Sequence, residues 1–503
     1  MTMSKEQAST YPIPDRRSYL WLVIGATLMF FSSGRWPIPL TLWLASVFVI
    51  RFFRTQKVFR GFLVVSLVIY AVGVITWWGT MSLPIPIYLG IMAANMSLLA
   101  GLPYLADRLL VPRLKGFAAT LVFPLAVTAL EFLSLSINPM GTFGARAYTL
   151  YGNLALMQLL SLTGMWGIAF LVSWLGPVVN WAWERSFDWP RIWRGLAIYA
   201  GITALVLVYG GARLAFSRAP EGTVRVAGLT MTLPDEAESL DWGEDREDVR
   251  QMISDLRDRY FEGTIREARA GARLVLWPEG AGVGYEEDEA ALIARGRQVA
   301  AQEGIYLAMP LFTLSEDPSR RHENRLIVVD PAGDVVLEHY KYGFNISEGS
   351  QPGDGVLHIV ETPFGTLSGV VCWDDAFPAP MRQAGRNGTD ILMVPANDHR
   401  EVDPLRTHMA VYRAIENGVS LVRQGSKGLS MAADPYGRVL GAMDHFTASE
   451  WVMVAQVPTQ GVFTLYAVIG DLFGWLAVVG LVAITIWVVV RGRRARRELT
   501  TEQ

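Results

Sequence analysis

Apolar residues occur in long blocks at the start and end of this chain and in short runs through its middle. Residues 19–213 are apolar stretches separated by brief charged segments. Residues 214–464 mix apolar and charged positions, and 465–490 are apolar again. A helix that crosses a bilayer needs about 20 mostly apolar residues. The first block predicts seven such helices, at roughly 19–33, 36–50, 61–81, 84–105, 117–137, 154–183 and 194–213; the last predicts an eighth at 465–490. The first two are short and read as a tight helical pair.

The middle block has the rhythm of a layered α/β domain. Residues 223–231, 273–277, 305–311, 366–372 and 390–395 read as strands. Residues 246–270, with Val249, Met252, Ile253, Leu256 and Tyr260 at helical spacing, read as an amphipathic helix, and 286–303 and 404–418 also read as helical. Two β-rich pairs flank Asp330-Pro-Ala-Gly333 and Asp434-Pro-Tyr-Gly437, which are hairpin signals. The predicted organisation is a membrane domain over 1–213, a catalytic domain over 214–464, and a last helix with a basic tail over 465–503.

Charge gives the membrane blocks a direction. Five segments between or beyond the predicted helices hold Lys5, Arg16 and Arg17; Arg51, Arg54, Lys57 and Arg60; Arg108, Arg113 and Lys115; Arg185, Arg191 and Arg194; and five arginines from Arg491 to Arg497. The alternate loops hold only Arg35 and Arg146. Basic residues collect on the cytoplasmic side. Both termini are therefore expected inside and residues 214–464 outside. The first apolar run lacks a small-residue cleavage site and is followed by further spans, which argues against a removed signal peptide. Trp36, Trp77 and Trp78, near span ends, are expected as interfacial anchors.

The chain is 51% hydrophobic and 18% charged, and its formal net charge is -3. A soluble globular protein carries about 25% charged residues, so a purely cytosolic enzyme is not expected. Nor is a nucleic-acid partner, which calls for a basic domain. Cys372 is the one cysteine, which excludes an internal disulfide and a multi-thiolate metal site. The six histidines show no ligand spacing, so no metal and no diffusible cofactor is expected.

Three residues sit where predicted strands end: Glu279 after Trp277-Pro278, Lys341 at the close of the first hairpin, and Cys372 after Gly369-Val-Val. A thiol attacks as thiolate and is ordinarily protonated at neutral pH. A carboxylate can take its proton, and an ammonium can stabilise the oxyanion formed on a carbonyl. Each residue alone is ordinary: a core cysteine, a solvated turn, a surface lysine.

Together, in LVLWPEG, EHYKYGF and GVVCWDDAFP, they resemble the nitrilase (carbon–nitrogen hydrolase) superfamily, over nearly all of 223–456. The resemblance implies an αββα sandwich, with Glu279 as general base, Lys341 as oxyanion stabiliser and Cys372 as nucleophile. The segment 139–180 and the layout of helices around the domain resemble the apolipoprotein N-acyltransferase family. That implies transfer of an acyl chain from a phospholipid, through a cysteine thioester, to the α-amino group of a diacylglyceryl-modified lipoprotein at a bacterial plasma membrane. Glu131, an intramembrane carboxylate, falls where that family carries a glutamate; it is a functional candidate by default, or a helix-end residue at the interface.

The chain departs from the family pattern in places. Cys-Tyr-Glu becomes Cys372-Trp373-Asp374, keeping the acid one methylene shorter. The loop after Lys341, Tyr342-Gly-Phe-Asn-Ile-Ser-Glu348, lacks the family's proline; Glu348 is the candidate second glutamate. His399-Arg400 replaces an aromatic pair, and His408 stands at a family histidine or on a helix surface. Two rival readings follow: a membrane-tethered amidase or nitrilase acting on a carbon–nitrogen bond, and a non-catalytic scaffold, which retention of all three residue types opposes.

Overall fold

The computed structural model describes residues 12–13, 15–80, 84–231, 246–315, 317, 319–343, 348–449 and 451–501. Lys5, and residues 344–347 of the loop after Lys341, lie outside the described residues. The chain forms two compact units. One holds 1–137, 144–215 and 471–503; the other holds 138–143 and 216–470.

The first unit is helical. Five of its described helical segments are long and apolar enough to cross a membrane: Val58–Thr76, Phe117–Ser136, Met165–Trp183, Trp189–Ala215 and Leu472–Arg494. The expected short pair is present as Ser18–Phe30 and Pro39–Arg54, of 13 and 16 residues. At 1.5 Å per residue these reach about 20 and 24 Å, short of a hydrocarbon core of about 30 Å. They pack together around Leu22, Val49 and Phe53.

Three expected spans are interrupted. The fourth runs Ile85–Ile91, then a wider π turn Met92–Leu99, then Ala100–Leu110. Pro103 has no N–H to give the Leu99 carbonyl, which removes one α-helical bond at that junction. The stretch 154–183 is broken into Leu154–Met157, Leu160–Thr163 and Met165–Trp183, where Gly164 takes φ +61°. The last divides at Gly470 into Leu465–Ile469 and Leu472–Thr501. Trp36 and Trp78 are half exposed, at 48% and 50%, whereas Trp77 is 3% exposed and is a packing residue instead of an anchor.

Polar contacts in this unit join residues that the charge pattern put on one side. Arg54 bridges Asp107 at 2.7 Å and Glu184 at 2.9 Å, and Arg51 meets Asp15 at 3.2 Å. On the other set of loops, Arg35 donates to the Trp78 carbonyl and Thr149 to the Ser32 carbonyl.

The second unit holds two sheets. The strands are β1 (Thr223–Leu229), β2 (Leu274–Leu276), β3 (Gly282–Tyr285), β4 (Tyr306–Leu314), β5 (Glu323–Val329), β6 (Val335–Tyr340), β7 (Ile359–Thr362), β8 (Gly365–Gly369), β9 (Ile391–Asn397), β10 (Ser420–Ser426), β11 (Leu429–Ala433), β12 (Val439–Asp444) and β13 (Val452–Pro458). One sheet is ordered β13-β1-β2-β4-β5-β6, with β3 beside β4; the other is β12-β11-β10-β9-β8-β7. Strand alternation builds the layers. On β5, Leu326 and Val328 enter a core shared with Leu367, Met393 and Val422 of the second sheet. Ile327 and Val329 face the other way, in a core with Leu256, Tyr260 and Val299 of the helices Arg246–Arg269 and Glu286–Glu303. Covered on both faces, the central strands are apolar throughout. The helix Leu405–Asn417 packs on β10 and β11.

Both hairpins form as their turns predict. Asp330 Oδ1 accepts from the Ala332 and Asp334 amides, and Asp434 Oδ1 from those of Tyr436 and Arg438.

Candidate active site

β2 runs parallel to β4, and β6 runs the same way because two antiparallel steps through β5 restore the direction. β8, β9 and β10 are mutually parallel in the second sheet. The residues singled out in the sequence follow the ends of these strands: Glu279 after β2, Lys341 after β6, Cys372 after β8.

Lys341, 1% exposed, donates to Glu279 Oε1 at 2.7 Å and also pairs with Glu348. Asn324 Nδ2 on β5 joins the two carboxylates, reaching Glu279 Oε1 at 2.9 Å and Glu348 Oε2 at 3.1 Å. The second oxygen of Glu279 accepts the Asn397 amide at 3.0 Å. Cys372 Sγ lies 3.9 Å from the Asn397 carbonyl oxygen. Asn397 thus touches both the base candidate and the sulfur. Burial alone would lower the Lys341 ammonium, but Glu279, Cys372 and Glu348 outweigh it and hold it above its ordinary range, so it is charged. Burial and the neighbouring Glu279 raise the Glu348 carboxyl. Burial, then Glu279, push the Cys372 thiol well above its ordinary value, against the pull of Lys341 and Arg406.

Cys372 opens a short 3-10 turn, Cys372–Ala376, at φ +45°. A side chain other than glycine costs on the order of 1–3 kcal/mol in such a conformation. Asp374 helps hold the turn. Its Oδ2 accepts the Val371 amide at 3.0 Å and faces His339 Nε2 at 2.9 Å, while its Oδ1 accepts the Tyr342 and Gly343 amides, each at 2.8 Å. It therefore ties the chain leaving Lys341 to the cysteine turn, a task the shorter acid still reaches. The Trp373 indole donates to the Met140 carbonyl at 3.2 Å, and Thr142 holds the Ala376 carbonyl through its amide and its hydroxyl. Residues 138–143 accordingly belong to this unit. Glu131 belongs to the helical unit, where Arg146 meets it twice, through Nε at 2.9 Å and through its amide at 2.9 Å. His408 is half-buried on Leu405–Asn417 instead of standing on a helix surface.

Residues 242–464 match the family model of the carbon-nitrogen hydrolases. The chain as a whole is similar to apolipoprotein N-acyltransferases. The protein of that name from Geobacter metallireducens is 25% identical over 514 residues, covering 92% of this chain and 94% of its own. Its counterpart from Rhodopseudomonas palustris is 26% identical over 423 residues, covering 77% of this chain and 75% of its own. The name shared by these relatives of the chain is apolipoprotein N-acyltransferase. A crystallised amidase from Nesterenkonia sp. is similar at 22% identity over 49% of this chain and 94% of its own, with a TM-score of 0.39.

Several members of the cluster escape a motif search. Asn324 lies on β5, the first strand of the hairpin around Asp330, but only the folded register shows it between two carboxylates. Behind the cysteine turn, Arg406 pairs with Asp375 at 2.7 Å, and Arg423 grips Asp398 at 2.7 and 3.0 Å. The spacing of Arg406 and Arg423, one on a helix and one on a strand, carries no periodic signal.

Proposed function

We propose that this protein moves an acyl chain from a membrane phospholipid to the α-amino group of a diacylglyceryl-cysteine lipoprotein. Cys372 attacks the ester carbonyl as its proton passes to Glu279. The carbonyl oxygen becomes an oxyanion beside the Lys341 ammonium. The carbon–oxygen bond then breaks, and the proton held by Glu279 leaves on the lysophospholipid hydroxyl, leaving a thioester on sulfur. In the second half, the lipoprotein amine attacks the thioester, Glu279 takes an amine proton, and the carbon–sulfur bond breaks as that proton passes to the sulfur, restoring the Cys372 thiol and the Glu279 carboxylate. Glu348 flanks Lys341, Trp373 and Asp374 fix the cysteine turn, and Glu131 supports the helical unit through Arg146.

The observation that carries this reading is the Lys341 ammonium, buried between Glu279 and Glu348, with Asn397 touching both Glu279 and the sulfur of the one cysteine of the chain. Buried ion clusters stabilise a fold little compared with apolar packing, and perturbed charges gather at functional sites. The membrane arrangement is part of the proposal. Eight stretches cross a bacterial plasma membrane, residues 214–464 face outward, and both termini are cytoplasmic. The pairing of Arg54 with Asp107 and Glu184, all assigned to one side, supports it.

The test supplies purified protein in phospholipid micelles with a diacylglyceryl-cysteine peptide. The expected result is N-acyl peptide from the wild type and none from Cys372→Ser. Equal product from both would overturn the assignment.

A further inference from the structure

Arg406 lies in the first turn of the helix Leu405–Asn417 and is 0% exposed. Its Nη2 donates to the Cys372 carbonyl oxygen at 3.2 Å and to Asp375 Oδ1 at 2.7 Å. Its guanidinium carbon lies 4.1 Å from the centre of the Trp373 ring. One planar side chain therefore touches Cys372, Trp373 and Asp375, three of the five residues of the cysteine turn. Asp375 also has a second arginine near it, with Arg423 Nε 3.8 Å from its other oxygen. Burying a further guanidinium costs several kcal/mol unless its geometry repays it, and a partner for Asp375 alone does not require one.

We propose that Arg406 is the positioning residue of the nucleophile: it fastens the Cys372 main chain at its positive-φ turn and places a permanent positive charge behind the sulfur. A guanidinium suits both tasks, because it stays charged when buried and its rigid plane fixes Nη2 between the two oxygens. The surrounding charges explain why a second cation matters. Lys341 is shared between Glu279 and Glu348, so its charge is more than matched. Asp398, which opposes the thiolate, is matched by Arg423. His339 and Asp374 face each other, and Arg413 pairs with Glu416 farther along the same helix. Among the described residues, Arg406 is the cation bound to the main chain of Cys372, and its field lowers the thiol that burial and Glu279 raise.

This inference rests on Cys372 being the nucleophile, and the test separates the two. Full-length protein in detergent micelles is alkylated with iodoacetamide across a pH series, and intact mass follows the reaction. Only one cysteine can react. Arg406→Met is expected to move the midpoint of the rate profile up by about one pH unit or more, slowing alkylation at neutral pH about tenfold. Arg406→Lys keeps the charge and loses the rigid plane that fixes Nη2 and lies over Trp373. It is expected to hold the midpoint near the wild-type value while acyl transfer falls about tenfold, a split that a purely structural role would not produce. Should Arg406→Met not fold, Arg406→Met with Asp375→Asn removes the buried pair together, and the same upward shift is expected. A profile that superimposes on the wild type in Arg406→Met, or in the double variant where the single one does not fold, overturns the inference and leaves the acyltransferase reading standing. A wild-type Cys372 that neither alkylates nor acylates at any pH overturns both.

Discussion

Cys372 at rest is a poor nucleophile, because burial raises its thiol and favours the neutral form. The proposed attack therefore depends on neighbours that act as the bond forms: a base to take the proton and a cation to receive the oxyanion. Lys341 does two jobs in this account, stabilising the oxyanion and restraining the thiol. Lys341→Met is expected to lower acyl transfer roughly 10²–10³-fold, the usual effect of losing one oxyanion donor. It also removes a charge that lowers the thiol, so iodoacetamide should react more slowly with Cys372 at neutral pH. Transfer at the wild-type rate by a folded variant would count against both roles. Glu279, Lys341 and Cys372 could be singled out as candidates in the sequence because each follows a predicted strand inside a recognisable stretch. Asn324 and Arg406 could not, since their contacts span 45 and 34 positions and depend on how strands and a helix align.

At the scale of elements, turn chemistry was the clearest signal. Asp330 and Asp434 cap their own turns with side-chain oxygens, and the hairpins follow. β3 and β7, of four residues each, are too short to show a period. A less visible element is the segment Asn138–Phe143. Gly141 takes φ +58°, and a methyl there would run into the Ala376 carbonyl at the end of the cysteine turn. Gly141→Ala should displace that turn and cost transfer on the order of 10²-fold, since small misplacements of reacting groups have such effects. Turnover within twofold of the wild type would show that the segment does not fix the turn. The helix Leu405–Asn417 carries a pH signature. Burial, with Arg423 nearby, lowers the His408 imidazole to about 4 from its ordinary 6.5. The unfolded chain then binds more protons than the folded one between about pH 6.5 and 4. Stability should fall as pH drops through that window, by at most about 1.4 kcal/mol per pH unit. Thermal midpoints in detergent at pH 7.5 and 5 should show a smaller acid loss in His408→Gln than in the wild type. Equal losses would mean that another group governs the acid response.

At the scale of the whole molecule, composition alone separated apolar blocks from a mixed middle, because 20-residue apolar runs have few alternatives to a bilayer. The breaks at Gly164 and Gly470 were not legible. A glycine within an apolar run adopts positive φ only when packing demands it. The proposed topology makes an accessibility prediction. In a Cys372→Ala background, Ser319→Cys should react with a membrane-impermeant maleimide in intact cells, while Lys115→Cys should react only after lysis. The opposite pattern would invert the proposed orientation.

The most direct test of the central claim is the intact mass of the protein after incubation with a defined phospholipid. The account predicts a gain of one acyl chain on the wild type, removable by hydroxylamine as a thioester is and absent from Cys372→Ala. An acyl adduct of equal yield on both proteins, or no adduct from any phospholipid while the wild type cleaves small amides, would contradict it.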